Sequence, residues 1–243
     1  MSRVSRKTIS PAGGAKAETL TEQAYYRLEE MIVTLKLAPG TLLSEQTLSA
    51  ELGIGRTPIR EALQRLAREG LVLVLPRKAI LVTDTDPRKQ LLVLEVRREL
   101  ERLLARASAE RASVAERAQF QAIADGMEAA AGSNDDIAFM RLDRELNALL
   151  AEAAHNEYAA RTMRFLNGHS RRFWYLHYKQ AADLPKIARL HADEARAVAK
   201  GKPERAMAAS DKLIDYVESF IRATVGTEAR VVRADGRSRA ARA

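Results

Sequence analysis

The chain has 243 residues, 47% of them apolar and 30% charged, with a formal net charge of +8. That composition suits one large domain or two modest ones and is too apolar for a mainly disordered chain. The absence of cysteine excludes disulfide scaffolds, thiolate zinc sites and Cys nucleophiles. No apolar run approaches the roughly 20 residues of a membrane helix, and the N-terminus lacks the apolar stretch of a secretory signal, so a soluble cytoplasmic protein is expected.

The charge is spread thinly. Residues 1–86 carry 12 basic and 10 acidic side chains, residues 87–226 carry 23 and 20, and residues 227–243 carry 5 and 2. No segment is a polybasic block, so position rather than bulk charge must identify any polyanion partner.

Residues 1–18, rich in Ser, Gly, Ala and Lys, read as a disordered arm. Next, Tyr25, Leu28, Ile32 and Leu35 recur at helical spacing and mark one buried face, which Ala38-Pro39-Gly40 ends in a turn. Ser44 is placed to cap a second helix carrying Leu48 and Leu52, and Gly53 to end it. Thr57 followed by Pro58 reads as a third helix start, a hydroxyl cap and then proline at the first helical position. Ile59, Ala62, Leu63 and Leu66 form the buried stripe of that helix and Gly70 stops it. The runs LVLVLP and ILVT read as two short strands around a basic turn holding Arg77 and Lys78. Helix, helix, tight turn, helix and hairpin is the order of a winged helix-turn-helix, assigned to residues 19–85.

With the stripe of the third helix facing inward, Arg60, Gln64 and Arg68 project outward and Arg56 lies just before the expected cap. A helix N-terminus in the major groove sets its first side chains on base edges and its backbone N–H groups toward phosphate, and arginine suits guanine O6 and N7. The hydroxyl of Thr57 would be shared between cap and phosphate; Arg77 and Lys78 would reach phosphate or the minor groove. By spacing alone, a charged, solvated helix face accounts for the pattern as well.

Asp84-Thr85-Asp86-Pro87 forms a joint. Beyond it residues 86–226 read as helix throughout. Leu94, Val96, Leu100, Leu103, Leu104 and Ala107 make the first helix amphipathic. A second helix covers 114–131. A third starts near Asp135 with Phe139, Leu142, Leu146, Leu149 and Leu150. A fourth covers 156–178, and two more cover 184–200 and 203–225. Helices of this number and length form a bundle. Residues 227–243 read as a flexible basic tail. The fold class is therefore mainly α: an N-terminal winged helix-turn-helix and an all-α bundle of six or seven helices.

Two resemblances sharpen this reading. SEQTLSAELGIGRTPIREALQRLAREGLV closely resembles the helix-turn-helix signature of GntR-family bacterial transcription regulators, most specifically at Arg56–Leu63, and the preceding LKLAPGTLLSE matches as well. The resemblance implies that Arg56 and Arg60 read operator bases and that Thr57 contacts the backbone. Gly55 stands where Ser or Thr is usual, Gln46 where some members have Arg, and Ala79 where a wing glycine is usual. The segments LEVRRELERLLARASAER, FMRLDRELNALLAEAAHNEY and LHADEARAVAKGKPERAMAA resemble the FCD effector domain of the FadR-type branch of that family. Such domains enclose a pocket, often with a divalent metal and a small carboxylate, and the usual metal ligands are an Asp, a His four residues on, and two further His.

Here Asp143 and His191 match, but Asn147 and Leu213 stand at the other two positions. One carboxylate, one imidazole and one amide make a poor zinc or nickel site, and a divalent metal held weakly through waters is the one cofactor left open. His155, His169 and His177 fall elsewhere and read as surface or packing residues. Arg97 lies on an apolar stripe, where it would serve an effector carboxylate or a buried ion pair with Asp143 or Glu101. Arg171, Arg172, Trp174 and Tyr175 are further pocket candidates. The expected protein is thus a DNA-binding regulator that represses as a homodimer on a palindromic operator and responds to a small organic acid. The alternatives are a regulator whose effector site has decayed and a metal-dependent hydrolase, the latter opposed by the lack of a nucleophile–base constellation.

Overall fold

The computed structural model describes residues 19–75 and 79–240, with side chains described except at 180, 181 and 225–240. The expected N-terminal arm and the wing-tip residues Arg77 and Lys78 lie outside the described residues. The N-terminal head begins with α1 (Leu20–Val33), whose N-terminus is closed by a reciprocal capping box between Thr19 and Glu22. Tyr25, Leu28 and Ile32 are buried as the spacing requires. Leu35 is not on that face: the helix ends at Val33, and Leu35 turns out of it in the left-handed region at φ 62°.

Strand β1 (Leu42–Leu43) follows, then α2 (Glu45–Leu52), capped by the Ser44 hydroxyl and ended by Gly53 at φ 65°. Helix α3 (Arg56–Arg68) starts two residues before the sequence suggests. Its N-cap is Gly55, without a side-chain cap, and Thr57 lies inside the first turn rather than capping it. Pro58 is tolerated there because first-turn N–H groups have no intrahelical acceptor. Strands β2 (Val72–Leu75) and β3 (Ala79–Val82) pair antiparallel from Val72↔Val82 to Leu75↔Ala79, and β1 covers the other edge of β3. The two residues of β1 are too few to show any periodicity. Leu28, Ile32, Ile59, Leu63, Leu66 and Leu71 form the head's core.

Asp86 caps α4 (Pro87–Arg111), with Pro87 at the first helical position. The bundle continues through α5 (Val114–Ser133), α6 (Asp136–Ala153), α7 (Glu157–Ala181), α8 (Leu184–Ala199) and α9 (Pro203–Ala240). Helix α5 packs on α8 and α4 on α9, with α6 and α7 completing the layers. Phe120, Met127, Phe139 and Leu146 are fully or almost fully buried in the principal core. Val96 does not join the α4 stripe and is half exposed. Two residues after buried Leu94 is about 200° around a helix, on the opposite side. Helix α9 continues to Ala240 across most of the segment read as a flexible tail; its repeated Ala and Arg favour helix and no proline interrupts it. Among the described residues no helix is long and apolar enough to cross a membrane.

Helix α7 also packs against α1 of the head, so the two units meet along it. Phe120→Ala should lower unfolding free energy in urea by about 3–5 kcal/mol, whereas Val96→Ala should change it by about 0.5 kcal/mol or less.

Candidate nucleic-acid interface and effector cleft

Arg56, Arg60 and Gln64 are spaced by four residues and exposed along one row of α3, with Thr57 exposed beside them and Gln46 exposed on α2. Arg60 is held by Glu45 at the start of α2: its Nε donates to Oε1 at 2.9 Å and its Nη2 to Oε2 at 2.7 Å. Arg56 lies 4.0 Å from the same carboxylate. The hydrogen bond from Arg60, reinforced by both arginine charges, holds the Glu45 carboxyl below its ordinary range. This two-point contact fixes the plane of the Arg60 guanidinium, which bidentate reading of a guanine requires. Nothing in the sequence signature singles out Glu45 for this role; it emerges only when α2 crosses α3.

The far end of α3 is fastened to α1 and to the bundle. The Arg65 guanidinium lies 3.6 Å above the Tyr25 ring centre, and its Nε donates to Glu69 at 3.2 Å. The Tyr25 hydroxyl donates to Glu69 at 2.8 Å, and burial together with that carboxylate raises its pKa well above the usual phenol range. Next to it, α7 presents four consecutive polar side chains. His169 Nε2 lies 2.7 Å from the Glu69 carbonyl. Ser170 Oγ accepts from Gln90 Nε2 at 2.8 Å inside the bundle. Arg171 reaches α1, with Nη2 2.9 Å from Glu30 and Nη1 3.4 Å from Glu29. Arg172, almost fully buried, donates to the Thr83 carbonyl at 2.9 Å, the Thr83 hydroxyl at 3.1 Å and the Asp84 carbonyl at 3.2 Å. Burial brings its pKa down to about 10 against the pull of Asp84. Arg172 is therefore a tether between the domains and does not line the cleft, because its guanidinium is spent on backbone carbonyls of the head.

The cleft lies among α4, α6, α7, α8 and α9, with a cavity volume of about 70 Å³, the room of a few waters or a small acid. Asp143, Asn147, His191, Arg97 and Arg171 all line it, with Trp174 and Tyr175. His191 Nε2 lies 3.1 Å from Asp143 Oδ1, while Nδ1 lies 2.8 Å from the Ile187 carbonyl. A ring with a carbonyl at one nitrogen and a carboxylate at the other is suited to carrying protons on both. Burial opposes that charge, but the hydrogen bond and charge of Asp143 prevail and hold the imidazole pKa above its ordinary value. Asp143 is correspondingly lowered, its own burial outweighed by His191, Arg171 and Arg97. Arg97 pairs with Glu101 one turn along α4, so it both lines the cleft and makes one of the ion pairs foreseen for it.

These donors do not fit a metal. Asp143 Oδ1 already accepts from His191 and from Asn147 Nδ2 at 2.9 Å, and Leu213 is buried in the hydrophobic core. Among the described residues no group of three or more His, Cys, Asp or Glu side chains is placed to hold one.

A second polar residue, besides Glu45, escaped sequence reasoning. Glu194, three residues beyond His191 on α8, is 2% exposed, and its Oε1 has no hydrogen-bond partner. Burial and the nearby Glu101 carboxylate push its pKa up to about 8, against His191 and Arg97. Its i,i+3 spacing from His191 is the only signal a sequence offers, and such spacing is common on any helix.

Residues 20–82 match the family described as "Bacterial regulatory proteins, gntR family", and residues 92–216 match the FCD domain. The chain belongs to the GntR family. It is accordingly a transcriptional regulator with a helix-turn-helix DNA-binding head and an FCD effector-binding domain, not an enzyme. It is 51% identical over 63 residues to an HTH-type transcriptional regulator in an unstable DNA locus of Streptomyces ambofaciens, matching 26% of this chain and 27% of that one. It is 26% identical over 176 residues to the HTH-type transcriptional repressor RspR of Escherichia coli (strain K12), over 72% of this chain and 77% of RspR. The solved structure of E. coli McbR/YncC superposes with a TM-score of 0.75 at 19% identity, covering 85% of this chain and 99% of that one, a likeness of fold.

In this GntR regulator the buried Glu194 carboxyl keeps a proton that the unfolded chain releases near pH 4.5. Stability should therefore fall as pH rises from about 4.5 toward about 8. Glu194→Gln should flatten that slope and raise the melting temperature at pH 8, as followed by circular dichroism across a pH series.

Proposed function

We propose that this regulator is a repressor that binds a palindromic operator as a homodimer in the cytoplasm and is modulated by a small carboxylate effector. The observation that carries the DNA-reading part is the exposed row Arg56–Arg60–Gln64, with the Arg60 guanidinium already oriented by Glu45. One head offers one recognition helix and so reads one half-site. Two heads related by a two-fold axis suit half-sites about one helical turn apart. Repression is supported by the name of RspR, a relative matched over most of both chains.

The effector class follows from the charge of the cleft. Arg97, Arg171 and His191 line it, and Asp143 is the one acidic side chain among its described lining residues. Bidentate guanidinium contacts suit a carboxylate, and the volume suits a small one. The Nε1–H of Trp174, a cleft-lining side chain, is buried without an acceptor among the described residues. An unmade buried hydrogen bond is costly, and a ligand oxygen would complete it. This favours a working effector site over a decayed one, and the reading needs no metal.

Arg60→Ala should weaken binding to an operator selected in vitro by roughly ten- to hundred-fold, or about 1–3 kcal/mol. Binding to random duplex of equal length should fall far less, as measured by fluorescence anisotropy at fixed salt. Equal loss on both duplexes would remove Arg60 from base reading.

A further inference from the structure

The three basic side chains lining the cleft differ in where their acidic partners lie. His191 pairs with Asp143 inside the bundle, and Arg97 pairs with Glu101 on its own helix. Arg171 alone among them pairs across the domain boundary, with Glu30 at 2.9 Å and Glu29 at 3.4 Å on α1. It also borders the two grooves in which α1 faces α6 and α7, so it forms the wall between the cleft and the head. The carboxylates it holds are not comfortable. Both Arg171 and Glu29 are more than four-fifths buried, and burial raises the Glu29 pKa despite the arginine beside it, with Glu30 and Glu69 adding to the strain.

We infer that Arg171 is a shared anion anchor, for which the effector's carboxylate competes with Glu29 and Glu30 of α1. This rests on the proposed carboxylate-binding role of the cleft. In the ligand-free protein the α1 carboxylates occupy the guanidinium and draw the head onto α7. A ligand carboxylate that takes those donors leaves Glu29 and Glu30 side by side without their shared cation. An uncompensated buried carboxylate is expensive, so α1 moves off α7 or takes in water. Helix α1 packs directly on α3, and the displacement therefore reaches the helix carrying Arg56 and Arg60. The coupling is reciprocal: an operator-bound pose that tightens the Arg171–Glu30 contact lowers affinity for the acid by the same factor.

Competition makes a prediction that a passive tether does not. Removing the α1 carboxylates should tighten acid binding, because the anchor is no longer occupied. Trp174, the only tryptophan in the chain, lines the cleft and reports binding without a label. Full-length parent and the Glu29→Gln/Glu30→Gln variant would be titrated with sodium malonate at ionic strength held constant with sodium chloride, reading Trp174 emission. Melting curves would confirm that both are folded. The expected result is roughly ten-fold tighter malonate binding by the variant, within the usual range of coupling factors. In addition, malonate should weaken the parent's grip on its selected operator but leave the variant's unchanged. Equal or weaker malonate binding by the variant overturns the competition while leaving the cleft a carboxylate site. If malonate binds neither protein, by emission or by thermal shift, the carboxylate reading fails and the shared anchor with it. Arg171→Gln is the complementary case: it should lose malonate binding, and a variant that retains the parent's affinity rules Arg171 out as the anchor.

Discussion

The four polar side chains at His169–Arg172 are the constraint on which the arrangement of the two domains depends. One turn of α7 reaches the end of the recognition helix through Glu69, helix α1 through Glu29 and Glu30, and the exit of the wing through Thr83 and Asp84. Its fourth member, Ser170, turns inward to Gln90 beside the cleft. The energetic weight falls on Arg172. A guanidinium buried to this degree with no carboxylate hydrogen-bonded to it is tolerable only while several oxygens accept from it, and hydrogen bonds to a charged group contribute about 1.5–3 kcal/mol each. Since those acceptors are mostly backbone carbonyls at the β3–α4 joint, the position of the head is set by main chain rather than by flexible side chains. Gly168 adds to this fit, since a Cβ there would come within 3.2 Å of Leu71.

That anchoring explains how a small helix-turn-helix holds its reading face steady. Helix α3 is fastened at its C-terminal end by the Arg65–Tyr25–Glu69 cluster and by α7, and near its N-terminal end by Glu45. Between these points its apolar stripe is fully buried. Side-chain freedom that would otherwise be lost on meeting DNA is already restricted at Arg60, which reduces the entropic cost of binding. Under the proposed base reading by Arg60, Glu45 is also a competitor, since its carboxylate must share or surrender the guanidinium to a guanine. The contact is largely solvent-exposed, so surrendering it costs little.

Local signals made most of the fold legible in the sequence. Ser44, Gly53, Gly70 and Asp86-Pro87 act within a few residues of themselves, and each ends or starts an element where its chemistry requires. Thr57 shows the limit of such signals. A hydroxyl before proline resembles a cap, but Gly55 takes that position because the helix begins two residues earlier, at Arg56. Asp143, His191, Arg97 and Arg171 reached the same cleft because helical periodicity and the family resemblance together placed them inward. Glu45, Glu194 and the true role of Arg172 stayed hidden because each depends on a partner far along the chain or in the other domain. Arg172 and Thr83 are separated by 89 residues, and no periodicity of α7 distinguishes a side chain facing the cleft from one facing the head.

The paired Asp143 and His191 also account for what the substitutions at Asn147 and Leu213 do to the bundle. Here the His191 imidazole lies against the buried carboxylate, and the Asn147 amide donates to the same oxygen without adding charge. A histidine at 147 would set a second ring beside the first, and a histidine at 213 would place an imidazole in an apolar layer now filled by leucine. A cleft organised in that way presents N–H donors to an anion, where a metal site would present an open coordination position. Selectivity for the proposed carboxylate then rests on guanidinium geometry. That is why the counter-charges of Arg171, rather than a metal's coordination sphere, link the cleft to the head.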